Sequence, residues 1–178
     1  MRNSGKIALG GLISALCLVC MFLTGLIPFA TIALPAIAGV LLIVVVIELG
    51  KRWALLVYAA VSLLSILLTA DMEAKLLFIL FFGYYPILKA VIEKMSNRLL
   101  QWTCKLAVFN AAAIGAYLLA VFVFSLPVQL ELFGVSIPLV LLLAGNVVFV
   151  IYDYAVTALT SVYVLQFQSK VHKRLKFF

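Results

Sequence analysis

The stretch FFGYYPILKAVIEK, residues 81–94, decides how this chain folds. It sets Gly83, the pair Tyr84 and Tyr85, Pro86 and Lys89 into a long apolar run. An ionisable side chain within a membrane-crossing helix costs about 2.5 to 3.5 kcal/mol on insertion scales, so by default it faces a bundle interior and marks a functional position. A lysine that snorkels outward, or that locks two helices together, is the plainer alternative. Either way, the helix carrying Lys89 needs neighbours.

The composition around this stretch defines the solvent. Of 178 residues, 67% are hydrophobic and 11% charged, and the mean hydropathy is +1.31. Soluble globular domains do not have that balance. The expected class is an all-α polytopic membrane protein. At ~20 apolar residues per crossing of a ~30 Å hydrocarbon core, the length allows about six helices and no soluble domain. The formal charge of +7 lies at span ends and in a short tail, which fits membrane topology. Without a basic patch interleaved with stacking aromatics, nucleic acid is not an expected partner.

The expected spans cover residues 6–29, 30–49, 53–70, 76–92, 99–124 and 137–165 of a single domain, residues 1–178, with residues 166–178 as a basic tail. Residues 7–29 are too long for the apolar core of a signal peptide and suit a retained first span. When these spans alternate across the bilayer, Arg2, Lys6, Lys51, Arg52, Lys94, Arg98 and the tail cations Lys170, Lys173, Arg174 and Lys176 share one side. The other side holds Asp71, Glu73, Glu131 and Lys75. The positive-inside rule then places both termini in the cytoplasm. No internal repeat supports an inverted-repeat transporter. Cys17 and Cys20 form a CxxC, but with Cys104 they sit in or beside apolar segments. They read as small helix residues, with no disulfide framework or metal pair.

Depth follows from a rise of 1.5 Å per residue. Lys89 and Asp153 both lie roughly 20 Å from the outer ends of their spans, so they are expected to form a buried structural pair. Lys105, about two turns into its span, is a second possible partner for Asp153. Asn146, Asp153, Thr157 and Thr160 follow a helical period and share one face. Interhelical hydrogen bonding accounts for such a face. Asn146, with Tyr84, Tyr85 and Tyr117 at comparable depth, could instead line a pocket for a small organic ligand, with Glu131 or Asp71 at its mouth. Tyrosines packed between helices are an equally economical account.

Catalysis finds no constellation here. The single histidine, His172, is in the basic tail, and GxSxG, HExxH and phosphate-loop motifs are absent. No enzymatic activity, metal or cofactor is expected. Active transport would need an ion gradient or another subunit's energy.

The first span opens KIALGGLISALCLV, residues 6–19, where Gly10 with Ser14 and Gly11 with Ala15 are small-xxx-small pairs that permit close helix approach. In this motif, in size and in topology across the whole chain, the sequence resembles the substrate-binding S component of energy-coupling factor transporters, a bacterial family for uptake of vitamins and other micronutrients. Gly11 and Ala15 match the family's AxxxA pair, with Gly in the first place. The resemblance implies a six-helix fold in the bacterial cell membrane and docking of this face on a transmembrane coupling subunit that binds two cytoplasmic ATPases. It also implies an outward pocket for a small-molecule substrate. The first loop, residues 27–34, is short and uncharged, unlike a large gating loop. Two other classes stay open on the residues alone: a membrane scaffold whose polar groups only lock helices, and an independent secondary carrier.

Overall fold

The computed structural model describes residues 3–119, 121, 131–132 and 135–167. Apart from one two-residue ladder, the described elements are helical. They are α1 (Asn3–Leu23), a 3-10 turn (Pro28–Ala30), α2 (Ala33–Glu48), α3 (Lys51–Leu68), α4 (Met72–Leu77), a π turn (Phe78–Phe82), α5 (Tyr85–Ile92) and α6 (Arg98–Leu118). Strands β1 (Glu131–Leu132) and β2 (Val135–Ser136), then α7 (Ile137–Val162) and a π turn (Tyr163–Phe167), complete the order.

Among the described residues four stretches are long and apolar enough to cross a membrane: Asn3–Leu23, Lys51–Leu68, Met72–Ile92 and Val140–Gln166. By length and composition these helices suit a membrane-embedded protein. Between the first two, α2 is apolar but only 16 residues long. The boundaries differ from the sequence expectation in instructive places. The first helix ends at Leu23 rather than near residue 29, and a 3-10 turn starts at Pro28, which has no N–H to continue a helical ladder. The fourth begins at Met72, because Asp71 caps it by accepting a hydrogen bond from the Ala74 N–H at 3.1 Å. Residues 72–75, which fall between the expected third and fourth spans, are thus its first helical turn. Most of the loop expected after the fifth span, and residues 168–178 of the tail, lie outside the described residues.

The core is built by helical stripes. On α1 the buried positions include Gly10, Ile13, Cys17 and Met21; on α3 they include Ala54, Val57, Val61 and Ser65. Both follow the three- and four-residue steps of one helix face. These faces and Ala38, Leu42 and Val45 of α2 form one cluster with the aromatic residues of the broken span. Cys17 donates its Sγ–H to the Ala38 carbonyl at 3.3 Å, tying α1 to α2, while Leu12, Val19 and Phe22 on the other side of α1 are exposed. In lipid the exposed side needs no protein cover, so close fit selects which face packs.

Two glycines let the broken span approach its neighbours. A Cβ on Gly39 of α2 would lie 2.3 Å from the Phe82 carbonyl oxygen, and one on Gly83 would lie 2.6 Å from the Tyr58 ring. The Phe82 carbonyl also faces Pro86 four residues on, which has no N–H to donate. The π turn closes with Gly83 N–H donating to the Phe78 carbonyl at 2.8 Å, and α5 restarts with Pro86 in its first turn. The irregularity lies upstream of the proline, where α2 crosses.

Candidate functional site

The short helix α5 presents Tyr85, its first residue, and Lys89 on one face, and Glu93 follows at the helix end. Lys89 and Glu93 are four residues apart, the spacing at which helix side chains meet. From α6 comes Lys105, and from α7 Asp153, three residues before the buried Val156. The four charged groups form a closed alternating square. Lys89 Nζ lies 2.6 Å from Glu93 Oε1 and 2.5 Å from Asp153 Oδ1. Lys105 Nζ lies 2.8 Å from the same glutamate oxygen and 2.9 Å from Asp153 Oδ2. The Tyr85 hydroxyl donates to Asp153 Oδ1 at 2.5 Å. On depth alone Lys89 and Lys105 stand as alternative partners of Asp153; the fold uses both.

This square is neutral, and it is unevenly buried. The side chains of Lys89, Lys105 and Asp153 are 5, 5 and 4% exposed, whereas Glu93 is 39% exposed. Burial raises the Glu93 carboxyl; the hydrogen bonds and charges of Lys105 and Lys89 outweigh that and hold it below its ordinary value. Trp102 places its ring 5.3 Å from Lys105 Nζ, a cation–π contact on the flank of the square.

The square belongs to a ladder that joins α6 to α7 in antiparallel register. Trp102 meets Tyr154 with ring centroids 6.0 Å apart, Lys105 meets Asp153, and Phe109 stacks on Phe149 at 4.8 Å. Asn110 and Asn146 exchange two amide hydrogen bonds of 3.0 Å each, and each also donates to the carbonyl four residues before it. Ion pair, stacked rings and amides are each matched with their own kind. Around Phe149, an aromatic cluster of Phe81, Phe82, Tyr85, Phe109 and Tyr152 separates the amide rung from the charged one. In it the Tyr152 hydroxyl is buried and has no hydrogen-bond partner among the described residues.

The residues expected to line one outward pocket are not brought together. Tyr85 is fully buried and turned to Asp153, and the side-chain amide of Asn146 is engaged by Asn110. Tyr84, one residue along and so about 100° around the helix, packs edge-on to Tyr58 and borders a lateral groove of about 410 Å³ with Leu80, Val108 and Gly115. Tyr117 is half-buried on α6, and among the described residues no hydrogen bond joins it to the others. Asp71, besides capping α4, accepts from the Thr31 hydroxyl at 2.8 Å. Glu131 pairs with Ser136 in the β1–β2 ladder. Counting depth ignores azimuth, and azimuth separates Tyr84, Tyr85 and Asn146; the Glu131 side chain lies outside the described residues.

On α1, Gly11 and Ala15 are exposed, and a Cβ at Gly11 would meet nothing within 4 Å. Gly10 faces the other way, where its Cβ would sit 3.5 Å from Val57. Glu93, Asn110 and Trp102 are the contributors that the sequence reading passes over. The signals were the four-residue Lys89–Glu93 spacing and the matching order of Trp102, Lys105 and Asn110 against Asn146, Asp153 and Tyr154. Among the described residues no group of His, Cys, Asp and Glu side chains is assembled to hold a metal ion.

What fold and site define together, among the described residues, is a helical protein with four helices of membrane-crossing length and apolarity and a charged, satisfied lock between three of its helices. No family model matches the chain, and neither a curated protein nor a solved structure matches it.

Proposed function

We propose that this chain is a membrane-embedded, non-catalytic subunit that docks a larger helical partner through α1 and captures a small molecule for uptake, in the manner of an energy-coupling factor S component. The observation that carries the reading is the exposed Gly11–Ala15 face. Internal packing uses the opposite, Gly10 face of α1, so the smooth face remains for another helix. In this reading the chain crosses a bacterial cell membrane six times, α2 and α6 adding to the four longer apolar stretches, with both termini in the cytoplasm. At 1.5 Å per residue α2 reaches about 24 Å, and the neighbouring 3-10 turn lengthens it. Its partners are a transmembrane coupling subunit and two ATPases. The ligand is a vitamin or similar micronutrient, with Tyr84 and its lateral groove the remaining contact from the expected set.

Co-expression of the tagged chain with such a coupling module tests this directly. Wild type is expected to co-purify with it, and Gly11→Trp or Ala15→Trp to lose the complex while the isolated chain keeps its thermal stability. Failure of wild type to associate, or tryptophan variants that associate equally well, would remove the basis of the reading.

A second reading, a scaffold without a ligand, has its own support. Asn110, Asn146, Lys89, Lys105 and Asp153 satisfy one another, leaving few free polar groups in the α6–α7 contact. Replacement of Tyr84 by Phe separates the two: a capture subunit loses ligand-dependent stabilisation, whereas a scaffold has none to lose.

A further inference from the structure

The charged square holds one member differently from the rest. Asp153 is fixed by Tyr85 and both lysines and is almost wholly buried, whereas Glu93 is the exposed corner. Glu93 also stands at the C-terminal end of α5, where its backbone N–H bonds back to Lys89 and Val91. The helix dipole disfavours a carboxylate there. What holds its side chain is the two ammonium groups, which both reach its Oε1. With Glu93 taken away, Lys89 and Lys105 would face Asp153 alone, a buried site with one cation in excess. The site thus requires one anion, and the chain delivers it from the residue before an exposed turn, residues 94–97.

Beside this corner is a cavity of about 80 Å³ bordered by Lys89, Glu93, Pro86, Val46, Val156 and Thr160. At about 30 Å³ per water molecule it has room for two or three waters, or for one carboxylate group with a short apolar substituent. The Lys89 ammonium borders this cavity beside Glu93, whose Oε1 Lys105 also reaches from outside the lining, and Val46, Val156 and Pro86 form the walls; a cation at the end of an apolar recess is the chemistry that recognises a small monocarboxylate.

We propose that Lys89 and Lys105 form a carboxylate-binding seat, which Glu93 occupies as a tethered internal ligand and yields to a small monocarboxylate entering through the adjoining cavity. A tethered occupant competes at a high effective concentration, so free carboxylates bind weakly while Glu93 is present and much more tightly when it is removed. This seat is independent of the α1 docking face, so the two can fail separately.

The test uses the full chain in phosphatidylcholine nanodiscs, with acetate as probe and chloride at equal ionic strength as control. Thermal unfolding is followed by tryptophan fluorescence, from Trp102, which lies against Lys105, and from Trp53. Glu93→Ala is expected to lower the midpoint, and acetate to restore most of the loss in a saturable manner that chloride does not reproduce. Wild type should respond to acetate with at least about tenfold weaker apparent affinity, and Lys105→Met should abolish both responses. Should Glu93→Ala fail to fold, Glu93→Gln keeps the shape and loses the charge, and the same rescue applies. Discs containing phosphatidylglycerol distinguish the source of anion: a suppressed acetate response identifies a lipid phosphate as rival occupant of the same seat, and an unchanged one leaves soluble carboxylates. The proposal is overturned if chloride rescues as well as acetate, if rescue survives Lys105→Met, or if wild type does not distinguish acetate from chloride.

Discussion

Replacing Asp153 by Asn removes one charge from the square while nearly preserving its shape. In the wild type two ammonium groups and two carboxylates lie within 2.5 to 2.9 Å of one another across α5, α6 and α7. Asp153→Asn leaves Lys89 and Lys105 with Glu93 alone, so an uncompensated positive charge remains among side chains about 5% exposed. Breaking a buried pair from one side costs about 3 to 5 kcal/mol, largely because of the charge left behind. Lys105→Met alone leaves one negative charge in excess and belongs in the same range. The double variant keeps Lys89 paired with Glu93 and is neutral again. Its loss should therefore fall short of the sum of the single losses by about 2 kcal/mol or more, within the coupling range of contacting residues. Reversible unfolding of the four proteins in mixed micelles, titrated with a denaturing detergent, measures the cycle. Additive losses would refute the square as a coupled electrostatic unit.

Other consequences are local. Gly39→Ala drives a methyl group to 2.3 Å from the Phe82 carbonyl oxygen and should cost about 3 kcal/mol or more, at the upper end for overpacking; Gly11→Ala, with nothing within 4 Å, should be nearly silent in the same unfolding assay. Asn146→Ala strands the Asn110 amide and should cost about 1 to 2 kcal/mol, whereas Asn110→Leu with Asn146→Leu should recover most of that loss, read by thermal unfolding. Because the folded Glu93 carboxyl is held below its ordinary value of 4.5, its contribution is fully present above pH 4.5 and is lost as the pH falls through the lower folded value. Thermal midpoints measured downward from pH 6 should therefore fall at the acid end, and Glu93→Gln should lack that component.

The expectations about charged residues and those about the pocket fared differently for one reason. Depth along a helix is a count of residues, so Lys89, Lys105 and Asp153 are legible as groups at one level. Azimuth and helix–helix register require coordinates. Two neighbouring tyrosines in sequence thus serve different surfaces: Tyr85 the charged square and Tyr84 the lateral groove. Asn146, legible as a polar residue on the inward face of α7, is committed to Asn110 because the antiparallel register of α6 places that residue opposite it. Glu93 stands in the sequence just past the end of the fourth expected span; its reach back to two buried lysines depends on where α5 stops.

By itself the sequence determined the helical class and the apolar character of its long helices. Apolar runs of span length, cations gathered at their ends and polar residues in helical period suit a helical bundle in lipid, where backbone and charge must be satisfied within the protein. Tertiary structure decided which helix faces meet, that the fourth span breaks at Phe78–Phe82 where α2 crosses at Gly39, and that one aspartate binds two lysines. Lipid is as apolar as leucine, so burial alone does not choose among the faces of such helices. Close fit at glycine and the matching of charges and amides across the register make the choice.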